Sequence, residues 1–386
     1  MSAARAAGLY IHVPFCTRVC PYCDFAVRTG TAARRAGYVE RLVRELEAWR
    51  GAWTHPIDTV YFGGGTPSAL APEQLERILA AVSASLPRAS ATVVHVEANP
   101  EDATDEAIAA WSALGVGFLS LGIQSLDPAR LAQLGRMHSP ERARAAVRTA
   151  RAAGIGTVSG DMMYALPGQS RDELARAVDD FAALELDHVS AYGLTIASGT
   201  PYERRRDAGA LVELDEDDQA DALELVHARL GASGYAAYEL SNFHRPRAGR
   251  DHRSRHNLKY WTRAPYLGVG PSAHSFDGTR RWWNASSLPA WEAAIDRGAR
   301  PIAGEETPSA QEQLLETVML ALRTSEGLDL DRVLAEHGVD LEALNAALMD
   351  RAVAEGQAIR DGRRFRLTPR GLAIADGLAA RFELAE

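Results

Sequence analysis

The chain has 386 residues, 46% hydrophobic and 24% charged, with 42 Lys and Arg against 51 Asp and Glu for a net charge of −9. That length asks for a large core domain with an appendage, and the acidic balance disfavours broad nucleic-acid binding. No apolar run approaches the roughly 20 residues of a membrane helix, and the polar N-terminus lacks a signal peptide's apolar segment, so the expected location is the reducing cytoplasm.

In chain order, residues 9–13 alternate β-branched and aromatic side chains and predict a strand. The strand runs into Cys16-x3-Cys20-x2-Cys23, which holds all three cysteines of the chain. An odd count without a leader argues against a disulfide framework. Three thiolates at this spacing wrap one small metal centre. They do not complete the ligand set of a structural zinc, nor the four cysteines usual for an iron–sulfur cluster. The open position is where a substrate or cofactor binds. A [4Fe–4S] cluster with one iron free for chemistry is the sharper reading. A Cys3His zinc site completed by His12 or a distant His is the alternative.

Val39, Leu42, Val43 and Leu46 recur at helical spacing over 38–49, and Gly51 closes that helix. Residues 57–62 predict a strand ending in Gly63-Gly64-Gly65-Thr66-Pro67. A helix over 73–85 and a strand over 92–97 follow, broken at Asn99-Pro100. Next come a helix over 105–114 and a strand over 118–123, ending at Gln124. Ser139-Pro140 opens a helix that runs to 153. Residues 156–163 are a strand carrying Asp161. Ser170 to Glu173 is a capping box for the next helix, and 188–195 is a strand. Such alternation argues parallel strands with crossover helices, as a closed or partial barrel or an open doubly wound sheet. The cysteine loop, the glycine run, Glu97, Gln124 and Asp161 all fall at or near the carboxyl ends of successive strands. Both folds build their sites on that side.

Beyond 195 the pattern loosens. A turn over 198–202, a helix over 215–231 and a strand over 235–240 lead into irregular structure rich in Gly, His and aromatics. The Arg- and His-dense 245–255 reads as a solvated loop. Helices over 309–322, 329–336 and 341–354 precede a hairpin of 357–360 with 363–367, turning through Asp361-Gly362 as a type I′ turn. A last helix opens at Pro369. This is a winged-helix-like pattern. Many such modules bind DNA, but the acidic chain favours a packing or partner surface.

Several motifs now combine: Tyr10-x-His12-x-Pro14-x-Cys16-x3-Cys20-x2-Cys23, Gly63-Gly-Gly-Thr-Pro67, Val96-Glu97, Gly122-Ile-Gln124-Ser, Leu134-Gly-Arg136, and Asp161 with Leu166-Pro-Gly168. Together they resemble the radical S-adenosylmethionine superfamily, in the branch containing oxygen-independent coproporphyrinogen III oxidase. The oxidases carry a further Cys two positions after the third, whereas here Cys23 is followed by Asp24-Phe25. In that ending, and in His256-Asn257-Leu258-Lys259-Tyr260-Trp261, the chain is similar to the heme chaperone (HemW-like) family.

The resemblance implies an α/β fold in three parts. Residues 1–232 would be a partial (β/α)6 radical-SAM barrel with the Fe–S and S-adenosylmethionine site. Residues 233–304 would be a mixed α+β region carrying the His-Asn-x-x-Tyr-Trp motif, and 305–386 a winged-helix-like module. Cys16, Cys20 and Cys23 would ligate three irons of a [4Fe–4S] cluster, the fourth iron chelating S-adenosylmethionine. Tyr10, Tyr22, Gly64, Gly65, Thr66, Glu97, Gln124, Arg136 and Asp161 would contact that cofactor. His256 would be the axial ligand of heme, with His274 and His252 as competitors and Tyr260 and Trp261 stacking on the porphyrin.

The implied function is heme binding and delivery to an acceptor protein, with an electron donor for the cluster, no nucleic acid, no assigned catalytic residue, and membrane contact left to peripheral docking. The alternative is a radical enzyme, by oxidase-like decarboxylation of coproporphyrinogen or by radical methylation or cyclopropanation. In it, electron transfer through the cluster cleaves S-adenosylmethionine to a 5′-deoxyadenosyl radical. A winged-helix regulator with the cluster as sensor is the third reading.

Overall fold

Strands β1 (Ala7–Val13), β2 (Ile57–Gly64), β3 (Arg88–Ala98), β4 (Val116–Gln124), β5 (Thr157–Tyr164) and β6 (His188–Gly193) lie side by side in sequence order, each parallel to the next. The coordinates come from a computed structural model that describes residues 6–384. Helices Ala32–Ala48, Pro72–Ser85, Asp105–Ala113, Pro140–Ala152 and Arg171–Ala182 connect the strands. With right-handed crossovers, an order that never reverses puts every helix on one face and curls the sheet around the other. A doubly wound sheet needs a reversal. The partial barrel is therefore the architecture formed.

The barrel does not close on itself. Beyond β6 the sheet continues antiparallel, through β8 (Asn242–His244) and its neighbour β7 (Ala236–Ala237). Beyond β1 lie β9 (Tyr266–Val269), parallel to β1, and then antiparallel β10 (His274–Phe276), β11 (Arg281–Asn284) and β12 (Ile302–Glu306). All twelve strands form one sheet.

Strand periodicity sorts the side chains. Leu9, Ile11, Val60, Phe62, Val94, Val96, Leu119 and Leu121 belong to the core shared with helix residues such as Leu42, Leu46, Ile78 and Val82. The alternate positions point inward: Tyr10 and His12, Thr59 and Tyr61, His95 and Glu97, Ser120, Ser159 and Asp161, His188 and Ser190. The barrel interior is thus polar. The capping boxes form as read: Ser170 Oγ accepts from Glu173 N at 3.3 Å while Glu173 Oε2 accepts from Ser170 N at 2.8 Å, and Ser309 and Glu312 repeat the pair. Each cap contributes about 1 kcal/mol.

Two short helices lie where the sequence reading had a turn or nothing, Pro128–Gln133 and Pro201–Asp207. Their caps, Asp127 and Thr200, precede Pro at the first helical position, the same signal as Ser139-Pro140. The strand expected over 235–240 shrinks to two residues. Tyr238 turns its hydroxyl inward to within 2.9 Å of His188 Nε2, and Tyr238 N donates to Asn242 O at 3.1 Å. That tight turn brings 242–244 into the sheet, inside the stretch read as irregular.

Helices Ala310–Leu322, Leu330–His337 and Leu341–Ala354 pack on a small sheet of β13 (Leu328–Asp329), β14 (Ala358–Asp361) and β15 (Arg364–Leu367), in the order β13-β15-β14. Val318, Leu322, Leu341, Met349 and Phe365 form a core separate from the barrel's. The hairpin pairs Asp361 with Arg364, so Gly362 and Arg363 make the turn. Only Gly362 has positive φ, at 56°. A type I′ turn needs positive φ at both central residues, so that expectation is corrected. Arg281, donating to Glu306 and Glu316, ties the module to the sheet edge. No helix among the described residues is long and apolar enough to cross a membrane.

Candidate functional site

The main chain first fixes the cysteine loop. Cys16 N donates to Arg28 O at 2.9 Å and Arg28 N to Pro14 O at 2.8 Å, closing the loop at its base. The glycine run docks beside it, with Gly65 N donating to Val13 O and Thr66 N to Phe15 O. A Cβ on Gly65 would stand 2.6 Å from Phe15 O, and one on Gly64, where φ is 104°, 2.6 Å from the His12 ring. No other residue fits that approach.

A cavity of about 510 Å³ opens at the carboxyl ends of β2–β6. Its wall includes Cys16, Cys20, Cys23, Tyr22, Gly64, Gly65, Thr66, Glu97, Gln124, Arg136 and Asp161. Eleven of the residues assigned from sequence thus meet in one place. Tyr10 does not. It lines a second cavity of about 510 Å³ along β1, β9 and β10, with His12, Tyr260, Tyr266 and His274. Asp24, Phe25, Gly64 and Glu97 border both cavities.

The donor set discriminates between metal groups. All three thiols are free and partly exposed. Burial pushes the Cys16 and Cys23 thiols up. Thr66 Oγ1 donates to Cys16 Sγ at 3.4 Å, which opposes that burial effect, and Arg136 Nη1 donates to Cys20 Sγ at 3.6 Å. Among the described residues no three His, Cys, Asp or Glu side chains converge tightly enough to hold a single metal ion. Three thiols lining one cavity suit a cluster in which each iron takes one sulfur. A Cys3His zinc would need a histidine nitrogen beside them. His12 is engaged as well, with Nδ1 3.2 Å from Tyr10 Oη and Nε2 3.2 Å from Ala26 O.

The rest of the wall is ionic. Arg136 Nη2 donates to Asn99 Oδ1 at 2.6 Å and to Gly122 O at 2.8 Å, while its buried Nε has no partner. An unpaired guanidinium donor at a cavity wall fits an anionic ligand. Tyr61 Oη donates to Glu97 Oε1 at 2.6 Å, and burial lifts Glu97 to about 7. Ser120 Oγ donates to Asp161 Oδ1 at 2.9 Å, and burial lifts Asp161 to about 6. Two raised carboxyls that take part in no salt bridge among the described residues fit a ligand carrying positive charge. Gln124 holds φ of 64°, a left-handed backbone that costs a non-glycine residue on the order of 1 kcal/mol and turns its side chain at the strand end.

His256 is in neither cavity. It is 1% exposed inside the barrel, with Nδ1 2.9 Å from Thr59 Oγ1 and Nε2 2.9 Å from Tyr260 Oη, and its ring stacks on Tyr61 at 4.9 Å. The helix Arg255–Trp261 splits its motif. Asn257 borders the first cavity and Tyr260 the second, while Trp261 faces Thr317 and Val333 of the C-terminal module. His252 is also buried, with Nδ1 3.0 Å from Thr157 Oγ1 at the opposite end of the barrel. Sequence reasoning missed Tyr61, Asn99, Ser120, Ser190, Tyr192 and Ser254, which also line the first cavity. The period-2 alternation of His95/Glu97, Phe118/Ser120/Gly122/Gln124 and His188/Ser190/Tyr192 carried the signal for Ser120, Ser190 and Tyr192.

The radical SAM superfamily model matches residues 10–181, and the HemN C-terminal domain model matches residues 309–374. Heme chaperone HemW of Mycobacterium tuberculosis is 40% identical over 377 residues, spanning 96% of this chain and 93% of that one. The chain belongs to the HemW heme chaperone family. HemW of Escherichia coli is 30% identical over 386 residues, covering 98% of each chain. The solved coproporphyrinogen III oxidase of Escherichia coli superposes with a TM-score of 0.83, at 20% identity, over 98% of this chain and 90% of that one. At that identity the superposition speaks to the fold alone. The radical SAM match over residues 10–181 of this chain implies a [4Fe–4S] cluster and S-adenosylmethionine, and the thiol set, glycine cradle and ionic wall fit both.

Proposed function

We propose that the protein is a heme chaperone that carries a [4Fe–4S] cluster and S-adenosylmethionine on its barrel rim and passes heme to an acceptor protein. The observation that carries the reading is Phe25. It stands where the oxidase branch has its additional cysteine, it is 65% exposed, and it borders both cavities. A phenyl ring there offers no ligand and no redox group. It offers apolar surface to a flat ligand. The names of the relatives, heme chaperones across several bacteria, support the same reading.

In this reading Cys16, Cys20 and Cys23 each hold one iron. The main chain of Gly64, Gly65 and Thr66 receives the amino group of S-adenosylmethionine, and Arg136 its carboxylate. Glu97 and Asp161 face the sulfonium and ribose, and Tyr22 and Gln124 close the sides. Tyr10 acts from below through His12. When bound, the cluster supplies an electron and S-adenosylmethionine a cleavable sulfonium. The barrel over 1–232 serves the cofactors, the region over 233–304 serves heme, and the module over 305–386 serves a protein partner, with a separate electron donor for the cluster.

The test is anaerobic reconstitution of the cluster, titration with heme, and mixing with an apo heme protein. The expected result is a saturable Soret band that then moves to the acceptor. Absence of a saturable band contradicts the proposal, as does conversion of coproporphyrinogen to protoporphyrinogen by the same sample.

A further inference from the structure

The heme reading above leaves the seat of the heme open, and His256 has no free nitrogen to offer iron. Two imidazoles, His12 and His274, line the second cavity and a third, His256, is hydrogen-bonded to Tyr260 of its wall; the three differ in what their nitrogens do. His256 spends both on Thr59 and Tyr260, and His12 spends both on Tyr10 and the Ala26 carbonyl. His274 opens β10, is exposed, and lines the cavity. Among the described residues neither of its ring nitrogens has a hydrogen-bond partner. We propose that iron porphyrin sits in this second cavity with the His274 imidazole as its axial ligand.

Four features of the fold support that placement. The His274 ring is oriented without using a nitrogen: it stacks on Trp283, its partner across the β10–β11 pair, with centroids 5.9 Å apart and planes 29° apart. Facing it is an aromatic wall, where Tyr260 and Tyr266 meet edge to face at 4.7 Å and Phe25 leans in from the cysteine loop. Flat apolar ligands are held by such walls, and the volume of about 510 Å³ lies in the range of small-molecule sites. Imidazole is a common axial ligand of heme iron.

The approach to His274 is also built rigidly. The turn before it passes through Gly270, with φ of 94°, and Ser272, with φ of 62°. A Cβ on Gly270 would come 2.6 Å from His12 O. The buried carboxylate of Glu45 clamps this turn. It accepts from Gly270 N at 2.9 Å, from Asn284 Nδ2 at 2.7 Å and from Trp291 Nε1 at 2.9 Å. A turn that takes a left-handed backbone at a non-glycine residue persists only where its surroundings over-determine it. Here the surroundings aim one exposed imidazole over an aromatic pocket. That pocket shares Gly64 and Glu97 with the cysteine cavity, so heme here lies next to the cluster site without entering it.

The experiment is a titration of hemin into the full-length, cluster-reconstituted protein, read by the Soret band and by the spin-state signature of histidine ligation. The set comprises wild type, H274A, H274G with added imidazole, and H256Q. Wild type is expected to saturate at one heme with a histidine-ligated spectrum. H274A is expected to lose that spectrum and to bind at least tenfold more weakly. Free imidazole is expected to restore the spectrum in H274G, which separates ligation from a structural effect. H256Q is expected to keep the wild-type spectrum. The inference is overturned where H274A matches wild type, or where H256Q alone loses the spectrum with its cluster content and circular dichroism intact. Wild type that takes up no heme overturns the heme reading itself, and the inference with it.

Discussion

The two cavities share a wall at Gly64, Glu97, Asp24 and Phe25, yet their chemistry differs. The first is made from the barrel's own rim. It collects three thiols, a guanidinium with a free donor, and two carboxyls held well above their usual range. Such a wall is costly to leave without a charged occupant. The second is made where strands from 266–284 join the outer edge of β1. It collects aromatic rings and one unengaged imidazole. One barrel therefore offers an ionic seat and, beside it, an aromatic one. The shared wall teaches that occupancy of the two can be linked while their recognition stays separate.

The most severe way to break this comparison is to remove the thiols. Cys16→Ser, Cys20→Ser or Cys23→Ser should each abolish cluster assembly, measured as iron and sulfide content after reconstitution. Heme uptake by the second cavity should survive. Loss of both together would mean one shared site.

Next is the clamp behind the aromatic cavity. Burial lifts Glu45 to about 7 from the usual 4.5, against hydrogen bonds from Gly270, Trp291 and Asn284. The only titratable group facing it among the described residues is the buried Tyr38, whose hydroxyl donates to His12 O. A carboxyl raised on folding favours the folded state fully below pH 4.5, and that contribution is lost as pH rises through about 7. The loss is on the order of 3 kcal/mol. Denaturant unfolding between pH 4.5 and pH 8 should therefore show falling stability with rising pH, and Glu45→Gln should flatten that slope. An unchanged slope would remove Glu45 from the account.

The ionic cavity has its own proton signature. Glu97 near 7 and Asp161 near 6 are partly protonated at pH 6. A sulfonium ligand lowers both, so binding of S-adenosylmethionine should release protons between about pH 5 and pH 7. Calorimetry in buffers of different ionisation enthalpy reads that release, which should vanish near pH 9. Glu97→Gln should weaken S-adenosylmethionine binding by about tenfold to a hundredfold, in line with one charge-assisted interaction.

The mildest expected effect sits on the shared wall. Phe25→Ala removes apolar contact without removing a ligand. Heme affinity should fall by about fivefold, roughly 1 kcal/mol of aromatic contact, with the histidine-ligated spectrum retained. An effect on S-adenosylmethionine binding instead of heme would place Phe25 on the other side of the comparison.

How much of this was legible in the sequence follows from how local each feature is. The cysteine loop, the glycine run and Glu97, Gln124 and Asp161 were legible because each lies at a strand end that periodicity marks. Periodicity alone left the barrel's order open, since right-handed crossovers allow both parallel-sheet folds; the motif resemblance implied the partial barrel, and the pairing of β1 through β6 in sequence order bears it out. The second cavity was hidden because it needs residues 8–11 beside 266–269, a pairing no local pattern encodes. His256 stands out within His-Asn-x-x-Tyr-Trp, yet the sequence cannot reveal that Thr59, far away in the chain, takes one of its nitrogens. His274 follows a plain Gly-Pro-Ser-Ala run, and its availability comes from what it does not touch.

The most direct test of the central claim is a heme titration of cluster-reconstituted protein with and without saturating S-adenosylmethionine. Separate seats predict one heme bound in both titrations, with S-adenosylmethionine still retained at saturation. Mutual displacement, one heme expelling one S-adenosylmethionine, would contradict the account.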